Sequence, residues 1–371
     1  MLAVTDLIAG TAVEPRPYQE RIVSQVLDLF LNKKLRSVLI ESPTGSGKTV
    51  MGLLAAWGLQ RARGLKVGWV AMRRNLLTQT AEEIAERKLG VECQFISMFE
   101  KDPPTGLDLL VIDEAQHDAA NSMAHLHSVI RPRFILGLSA TPFRADKMKL
   151  CFDKVIRDAG IRQLIADGYL SRFDHYTIPH WSPDGVANLY LADRPRWGKS
   201  IFYFHTLDQC RDLQTRLGAR GVKVEVVTGS SDREAQLAAF EAGKVDALAN
   251  CMVLAEGFDC PSLQTVFCRP SAKSVTIQMC GRVLRKHPDL PVKQVVQCRH
   301  TPWPFPRTAE PRVQYTWAGG EWQSLSVNPL IDRVGLVVMK ALAARPVDLP
   351  EYVKKRQGLL RRHAQREALV A

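Results

Sequence analysis

None of the chain's 8 cysteines (Cys93, Cys151, Cys210, Cys251, Cys260, Cys268, Cys280, Cys298) stands in a Cys-x-x-Cys pair, which removes the usual zinc and thioredoxin spacings. They read as buried structural thiols, with Cys298 beside His300 as the one place where a metal site stays open. Long apolar runs are also missing, because charges and glycines interrupt every hydrophobic stretch, so no membrane span is expected. The first ten residues have no basic leader and carry Asp6, against a cleaved secretory signal. Neither an internal repeat nor a low-complexity tract is present. What remains is 371 residues with 46% hydrophobic content, enough for two ordinary α/β domains and a smaller appendage. The formal net charge of +12 favours a polyanionic partner, since Lys and Arg gain affinity for phosphates by releasing counterions.

Short apolar runs suited to buried parallel strands recur at 37–40, 67–72, 109–112 and 134–138, with helical patterns between the early ones. A second series follows at 201–204, 222–227, 247–249 and 265–267. Alternation of this kind predicts doubly wound α/β sheets, one per series. The expected division is a lead-in at 1–14, a first lobe at 15–150, a connection at 151–199, a second lobe at 200–290 and a small C-terminal extension at 291–371. Within the connection, 178–197 is rich in Pro, Asp, Gly and Trp and reads as irregular. In the extension, Pro302, Pro304, Pro306 and Pro311 forbid a regular helix. Gly319-Gly320 then offers a hairpin turn that sets Trp317 opposite Trp322, first as a packed aromatic pair and second as a base-stacking platform. The last stretch, 351–371, holds six Lys or Arg against two Glu and reads as a solvated or phosphate-contacting helix.

The chemistry concentrates in Ser42-Pro43-Thr44-Gly45-Ser46-Gly47-Lys48-Thr49, lying between an expected strand and an expected helix. That context is the one a phosphate-binding loop requires. Gly45 and Gly47 let backbone N–H groups turn inward around phosphate oxygens, Lys48 reaches the β and γ phosphates, and the Thr49 hydroxyl can ligate Mg²⁺. Val111-Ile112-Asp113-Glu114 puts two carboxylates at the tip of a buried strand, where α/β sheets bind ligands. Alone, two such acids are commonplace in a solvated turn. Together with the phosphate loop they read as Asp113 for Mg²⁺ and Glu114 for activating the attacking water.

In their order, these motifs resemble superfamily 2 helicases over residues 16–286. The resemblance implies tandem RecA-like lobes, ATP and Mg²⁺ as cofactors, and a nucleic-acid partner. Arg16-Pro17-Tyr18-Gln19 is similar to the family's adenine-reading element, with Gln19 expected to bond the base. Asp113-Glu114-Ala115-Gln116 resembles the DEAD/DEAH-type box, and Ser139-Ala140-Thr141 the short coupling motif; Gln116, His117, Ser139 and Thr141 are thereby implied to couple hydrolysis to strand movement. Gln116 stands where the closest relatives usually have His. Residues 201–206 resemble the opening strand of the C-terminal motor domain, and the segment from Asn250 through Gly257-Phe258-Asp259-Cys260-Pro261 resembles motif V, implying nucleotide contact by Gly257 and Asp259. Gln278-Met279-Cys280-Gly281-Arg282-Val283-Leu284-Arg285 matches the Q-x-x-G-R-x-x-R signature. On a helix, Arg282 and Arg285 would point the same way, toward a γ-phosphate held by the opposite lobe. Ala71 to Gln79 resembles motif Ia, implying backbone-phosphate contacts by Arg73, Arg74 and Gln79.

Wording in motif V (Val253 to Asp259) and at Arg157 to Leu170 resembles the branch of RadD-like repair helicases and restriction-type translocases. The span 79–107, where the family carries another strand-contacting motif, offers only Phe95-Ile96-Ser97-Met98-Phe99. The implied activity is an ATP-dependent DNA helicase or translocase in the cytoplasm of a bacterium or phage-infected cell. An RNA helicase or remodeller with the same motor, and a nucleotide-gated binding module with negligible turnover, are the alternatives.

Overall fold

A computed structural model describes residues 4–117, 121–140, 152–255, 260–325, 334 and 337–341. The chain divides into two compact units, Met1–Trp322 and Gln323–Ala371. In the second, the described residues at 337–341 are helical, with Val337, Val338 and Met339 exposed; the basic stretch 351–371 lies outside the described residues.

The first unit opens with α1 (Val4–Ile8) and α2 (Pro17–Leu31). Pro17 suits the first helical position, and the Gln19 side chain accepts the Arg16 N–H at 2.9 Å, closing the helix start. Apolar residues at 22, 23, 26, 27 and 30 then bury one face. There follow β1 (Ser37–Glu41), α3 (Lys48–Arg63), β2 (Val67–Ala71), α4 (Arg74–Glu86), β3 (Cys93–Ser97), β4 (Leu109–Asp113), α5 (Asn121–Ile130), β5 (Phe134–Ser139) and β6 (Lys154–Ile156). These strands form a parallel sheet in the order β3-β2-β4-β5-β1-β6. The tips of β1, β5 and β4 are therefore neighbours at the C-terminal edge, which is where the phosphate loop and both acids emerge. α3 lies close on the sheet because Gly52 has no Cβ; one built there would be 2.7 Å from Leu138 and 3.0 Å from Trp69.

The second half holds α6 (Ile161–Ala166), β7 (Arg172–Ile178), α7 (Pro183–Ala192), α8 (Arg194–Trp197), β8 (Ser200–Tyr203), α9 (Leu207–Gly218), β9 (Val224–Val226), α10 (Arg233–Glu241), β10 (Ala247–Asn250), β11 (Thr265–Cys268), α11 (Lys273–Gly281), β12 (Val292–Cys298), β13 (Gln314–Ala318) and β14 (Glu321–Ser324). They make an eight-stranded sheet, β14-β13-β7-β12-β11-β8-β10-β9. Two mostly parallel sheets flanked by helices are thus present, as the alternating pattern anticipates.

The connection differs from its sequence expectation. Residues 178–197, read as irregular, carry two helices: the Ser182 hydroxyl caps α7 by accepting the Gly185 N–H at 3.0 Å, and Pro183 follows at the first turn. Their apolar side chains Val186, Tyr190 and Trp197 are buried against the second sheet's core. Residues on either side of the connection join sheets too, β6 pairing with β1 and β7 with β12. Beyond residue 290, β12 and β13 lengthen the second sheet to either side of β7.

β13 and β14 meet at Gly319 and Gly320, both at positive φ (63° and 83°) as a tight hairpin turn demands. Trp317 and Trp322 lie 5.0 Å apart, and Trp322 also meets Tyr176 and Trp197 edge-on at 5.0 and 5.6 Å. The pair is packed onto an aromatic core, in line with the first of its two readings.

Candidate active site between the two lobes

Residues from both lobes line a cavity of about 440 Å³: Arg16, Gly45, Lys48, Thr49, Asp113 and Glu114 on one side, Pro261, Arg282 and Arg285 on the other, among others. Its floor is the turn between β1 and α3. Gly45 and Gly47 take φ of 82° and 78°, which places Gly47 as the left-handed cap of α3 and aims backbone N–H groups into the cavity. From behind, Tyr18 Oη and Gln19 Nε2 both donate to the Ser46 carbonyl, at 2.6 and 2.8 Å. A Cβ at position 47 would come within 2.5 Å of Gln19 Nε2. Gln19 is thus buried beneath the loop and does not line the cavity, whereas Arg16 does.

Asp113 ends β4 with its Oδ1 accepting the Glu114 N–H at 3.0 Å. Burial first, and the neighbouring Glu114 second, push its carboxyl up to about 7, with Lys48 opposing. Burial lowers the Lys48 ammonium, while Glu114 and Asp113 pull the other way. Glu114 itself adopts φ 53°, a left-handed conformation that costs a non-glycine residue roughly 1–3 kcal/mol and turns its carboxylate back over the strand tip. Gln116 Nε2 donates to Glu114 Oε2 at 2.9 Å, and Ser139 Oγ, at the end of β5, donates to Gln116 Oε1 at 2.7 Å. Three elements are linked by this relay. His117 ends a short 3₁₀ turn (Ala115–His117) with its side chain outside the described residues, as are Thr141, Gly257 and Asp259.

The arginines come from the opposite wall. α11 stops at Gly281, so Arg282 is its C-cap and Arg285 lies in the following turn; the expectation that both ride one regular helix is corrected. The helix cannot run on because the carbonyls of Leu284 and Arg285 are taken by the connection, accepting the Ser171 N–H at 2.7 Å and the Ser171 hydroxyl at 3.2 Å. Both arginines nevertheless face the cavity, with Arg282 Nη2 3.9 Å from Glu114 Oε1. Burial holds the Arg285 guanidinium down at about 10. Gln278, half-buried on α11, is not among the lining residues.

Of the residues implied by the motif Ia resemblance, Arg73 caps α4 and Arg74 opens it. Gln79 instead lines the cavity with Leu76, Thr80 and Glu83 of the same helix.

Four contributors went unread in the sequence. Tyr169 and Leu170 line the cavity from the connection: the Arg16 guanidinium sits 4.8 Å from the Tyr169 ring centroid, and Leu170 would lie 2.9 Å from a Cβ at Gly45. Arg233, buried at the start of α10, is lowered to about 10 by burial and then by Arg73 of one lobe and Arg282 of the other. Lys293, fully buried in β12, donates to the Pro261 and Leu263 carbonyls, both at 2.7 Å, and so holds the loop that brings Pro261 to the cavity. A lysine in a strand pattern was the one available signal for it. Cys298, buried, lies 3.5 Å from the Pro179 carbonyl, and among the described residues no group of three metal-ligating side chains occurs.

Comparison with known proteins gives the same outline. A model of the Type III restriction enzyme res subunit matches residues 12–103, and a model of the helicase conserved C-terminal domain matches 184–287. A 51.5 kDa protein of a Lactococcus phage is 23% identical over 67% of this chain and 62% of its own length. The putative ATP-dependent helicase IRC3 of Saccharomyces cerevisiae is 25% identical over 49% of this chain and 32% of its own. The putative helicase 22 of a Sulfolobus islandicus filamentous virus is 25% identical over 73% and 62%. The chain thus spans less than two thirds of the length of these curated relatives. Among solved structures, the Type ISP restriction-modification enzyme LlaBIII superimposes with a TM-score of 0.58 at 15% identity, over 79% of this chain and 28% of that one. Dbp5 of S. cerevisiae gives 0.54 at 17% identity, over 77% and 88%. The motif order, the two sheets and both domain matches make the chain a member of the superfamily 2 helicases, on their restriction-type branch.

Proposed function

We propose that the chain is an ATP-dependent DNA helicase or translocase in which Mg-ATP is hydrolysed between the two lobes. One observation carries this reading: Lys48, Thr49, Asp113 and Glu114 face Arg282 and Arg285 across a single cavity. Phosphoryl transfer depends on positioning and charge neutralisation, and the two walls supply complementary parts of both.

Lys48 and the inward backbone of 45–49 bind the β and γ phosphates. Arg282 and Arg285 approach the γ-phosphate from the other lobe as arginine fingers, and Glu114 takes the proton of the attacking water. Two crowded carboxylates, one of them forced up by the other and by burial, suit a divalent cation, so Thr49 and Asp113 would hold Mg²⁺. When bound, that ion neutralises charge on the phosphates. Glu114, Gln116 and Ser139 then link the hydrolytic position to the end of β5, from which the coupling segment leaves.

Arg73, at the C-terminal edge of the first sheet, is offered to backbone phosphates, and the net charge of +12 supports a polyanionic track. DNA is favoured by the restriction-type family match. ATP hydrolysis measured with single strands, duplexes, forks, four-way junctions and RNA tests the proposal. Strong stimulation by a DNA form is expected; no stimulation by any DNA would sink it, and stronger stimulation by RNA would replace DNA with RNA as the track.

A further inference from the structure

Trp303 stands apart from the chain's packed tryptophans. It is half-buried in the proline-rich stretch after β12, with its indole N–H donated to Thr308 Oγ1 at 3.0 Å. Two exposed cations flank it: Lys273 Nζ is 5.1 Å from the ring centroid and the Arg307 guanidinium 5.5 Å. The stretch is firmly seated. Gln297, buried in β12, accepts the Phe305 N–H at 2.7 Å and donates to the Trp303 carbonyl at 3.3 Å, while Phe305 packs on Phe173 with centroids 5.1 Å apart.

More positive charge collects at the same edge of the second sheet. Thr301 Oγ1 accepts the Ser271 N–H at 3.3 Å, which joins the stretch to the loop entering α11. Arg269, just upstream, donates to His205 Nδ1 at 2.8 Å beyond the end of β8, and Arg299 and His300 are exposed at the end of β12. Elsewhere the lobe pairs its arginines with acids: Arg312 with Asp174, Arg194 with Asp246, Arg216 with Asp184 and Asp212. Among the described residues, Arg269, Lys273, Arg299 and Arg307 meet no carboxylate. Cations left without acids around a fixed indole match a polyanion that also presents flat rings.

Resting on the DNA-motor reading, we infer that this edge of the second lobe binds single-stranded DNA outside the nucleotide cavity, with an unpaired base stacked on Trp303 and its flanking phosphates on Lys273, Arg299 and Arg307. Stacking is tolerant of sequence, so the surface grips a strand without reading it. Lys273 also opens α11, whose far end leads into Arg282 and Arg285, so a strand held here touches the element that delivers them.

The test uses the full chain and a fluorescein-labelled oligothymidylate, with a blunt duplex of equal length as control, read by anisotropy across a salt series. Trp303→Leu is expected to weaken single-strand binding roughly tenfold to a hundredfold while leaving the duplex, the melting temperature and DNA-free ATP hydrolysis unchanged. Trp303→Phe should bind within about threefold of the parent, because a ring remains. Lys273→Ala with Arg307→Ala, both at exposed positions, should reduce the slope of log affinity against log salt by about one to two. Single-strand binding unaffected by Trp303→Leu, or equal losses on strand and duplex, would overturn the inference while leaving the motor reading intact. An unchanged salt slope in the double variant would remove the phosphate contacts. If the parent chain bound no DNA at all, both would fall together.

Discussion

The two sheets are built from different materials. In the first, β2 and β4 are buried throughout and, up to Asp113 at the tip, wholly apolar, and the ionisable groups wait at the C-terminal edge. In the second, buried polar residues sit inside the strands themselves: Asp174 and His175 in β7, Lys293, Gln294 and Gln297 in β12. His175 Nε2 meets Gln297 Oε1 at 3.0 Å, and Asp174 takes a two-pronged pair from Arg312 at 2.9 and 2.7 Å. One lobe confines polarity to its working edge, whereas the other stitches its own interior and its C-terminal stretch together with it. The first is built to hold phosphates still; the second to keep a long, added edge in register while presenting arginines.

That contrast can be broken most sharply at the arginines. Arg282→Ala or Arg285→Ala should lower turnover about a thousandfold or more and leave ATP binding within a few fold. Equal losses of binding and turnover would mean that the second lobe is part of the cradle after all. Next comes acid stability. Burial lowers His175 from 6.5 to about 4, so the unfolded chain takes up its proton first. Stability from this group is whole above about pH 6.5 and is lost as pH falls toward 4, amounting to roughly 3 kcal/mol. Urea titrations at the two pH values should show that loss in the parent and a smaller one in His175→Gln.

Slightly smaller is the effect of Glu114→Gln, which should cut turnover by at least about a hundredfold and leave ATP retained on the protein through gel filtration. Rapid hydrolysis by that variant would assign the base elsewhere. Smallest is Tyr169→Ala. If the Arg16–Tyr169 pair receives the nucleobase, the change should raise the KM for ATP roughly tenfold, as loss of one aromatic stack does, while affinity for inorganic tripolyphosphate stays the same. Parallel losses for both ligands would reduce Tyr169 to a packing residue.

The same contrast explains what was legible in the amino-acid order. Strands of the first sheet are short apolar runs, and four of its six follow from pattern alone. β7 and β12 escape because Asp174, His175, Lys293 and Gln294 interrupt the runs, their polarity being satisfied by partners more than a hundred residues away or across neighbouring strands. The helices at 183–197 were hidden by Pro183 and Trp197, residues that suggest a loop in composition but sit at a helix start and in a core. In the cavity, contiguous motifs could be read because chemistry fixes their spacing. Tyr169, Arg233 and Lys293 could not, since each acts through a contact that only the folded chain creates.

One small substitution in the relay has a physiological meaning. Between Glu114 and Ser139 stands the amide of Gln116, where an imidazole is usual in the family, and the bridge is made of an amide and a hydroxyl. Neither changes charge near neutrality. News of hydrolysis leaving Glu114 therefore crosses a bridge indifferent to acidification, and a drop in cytosolic pH would not uncouple fuel from motion at this joint.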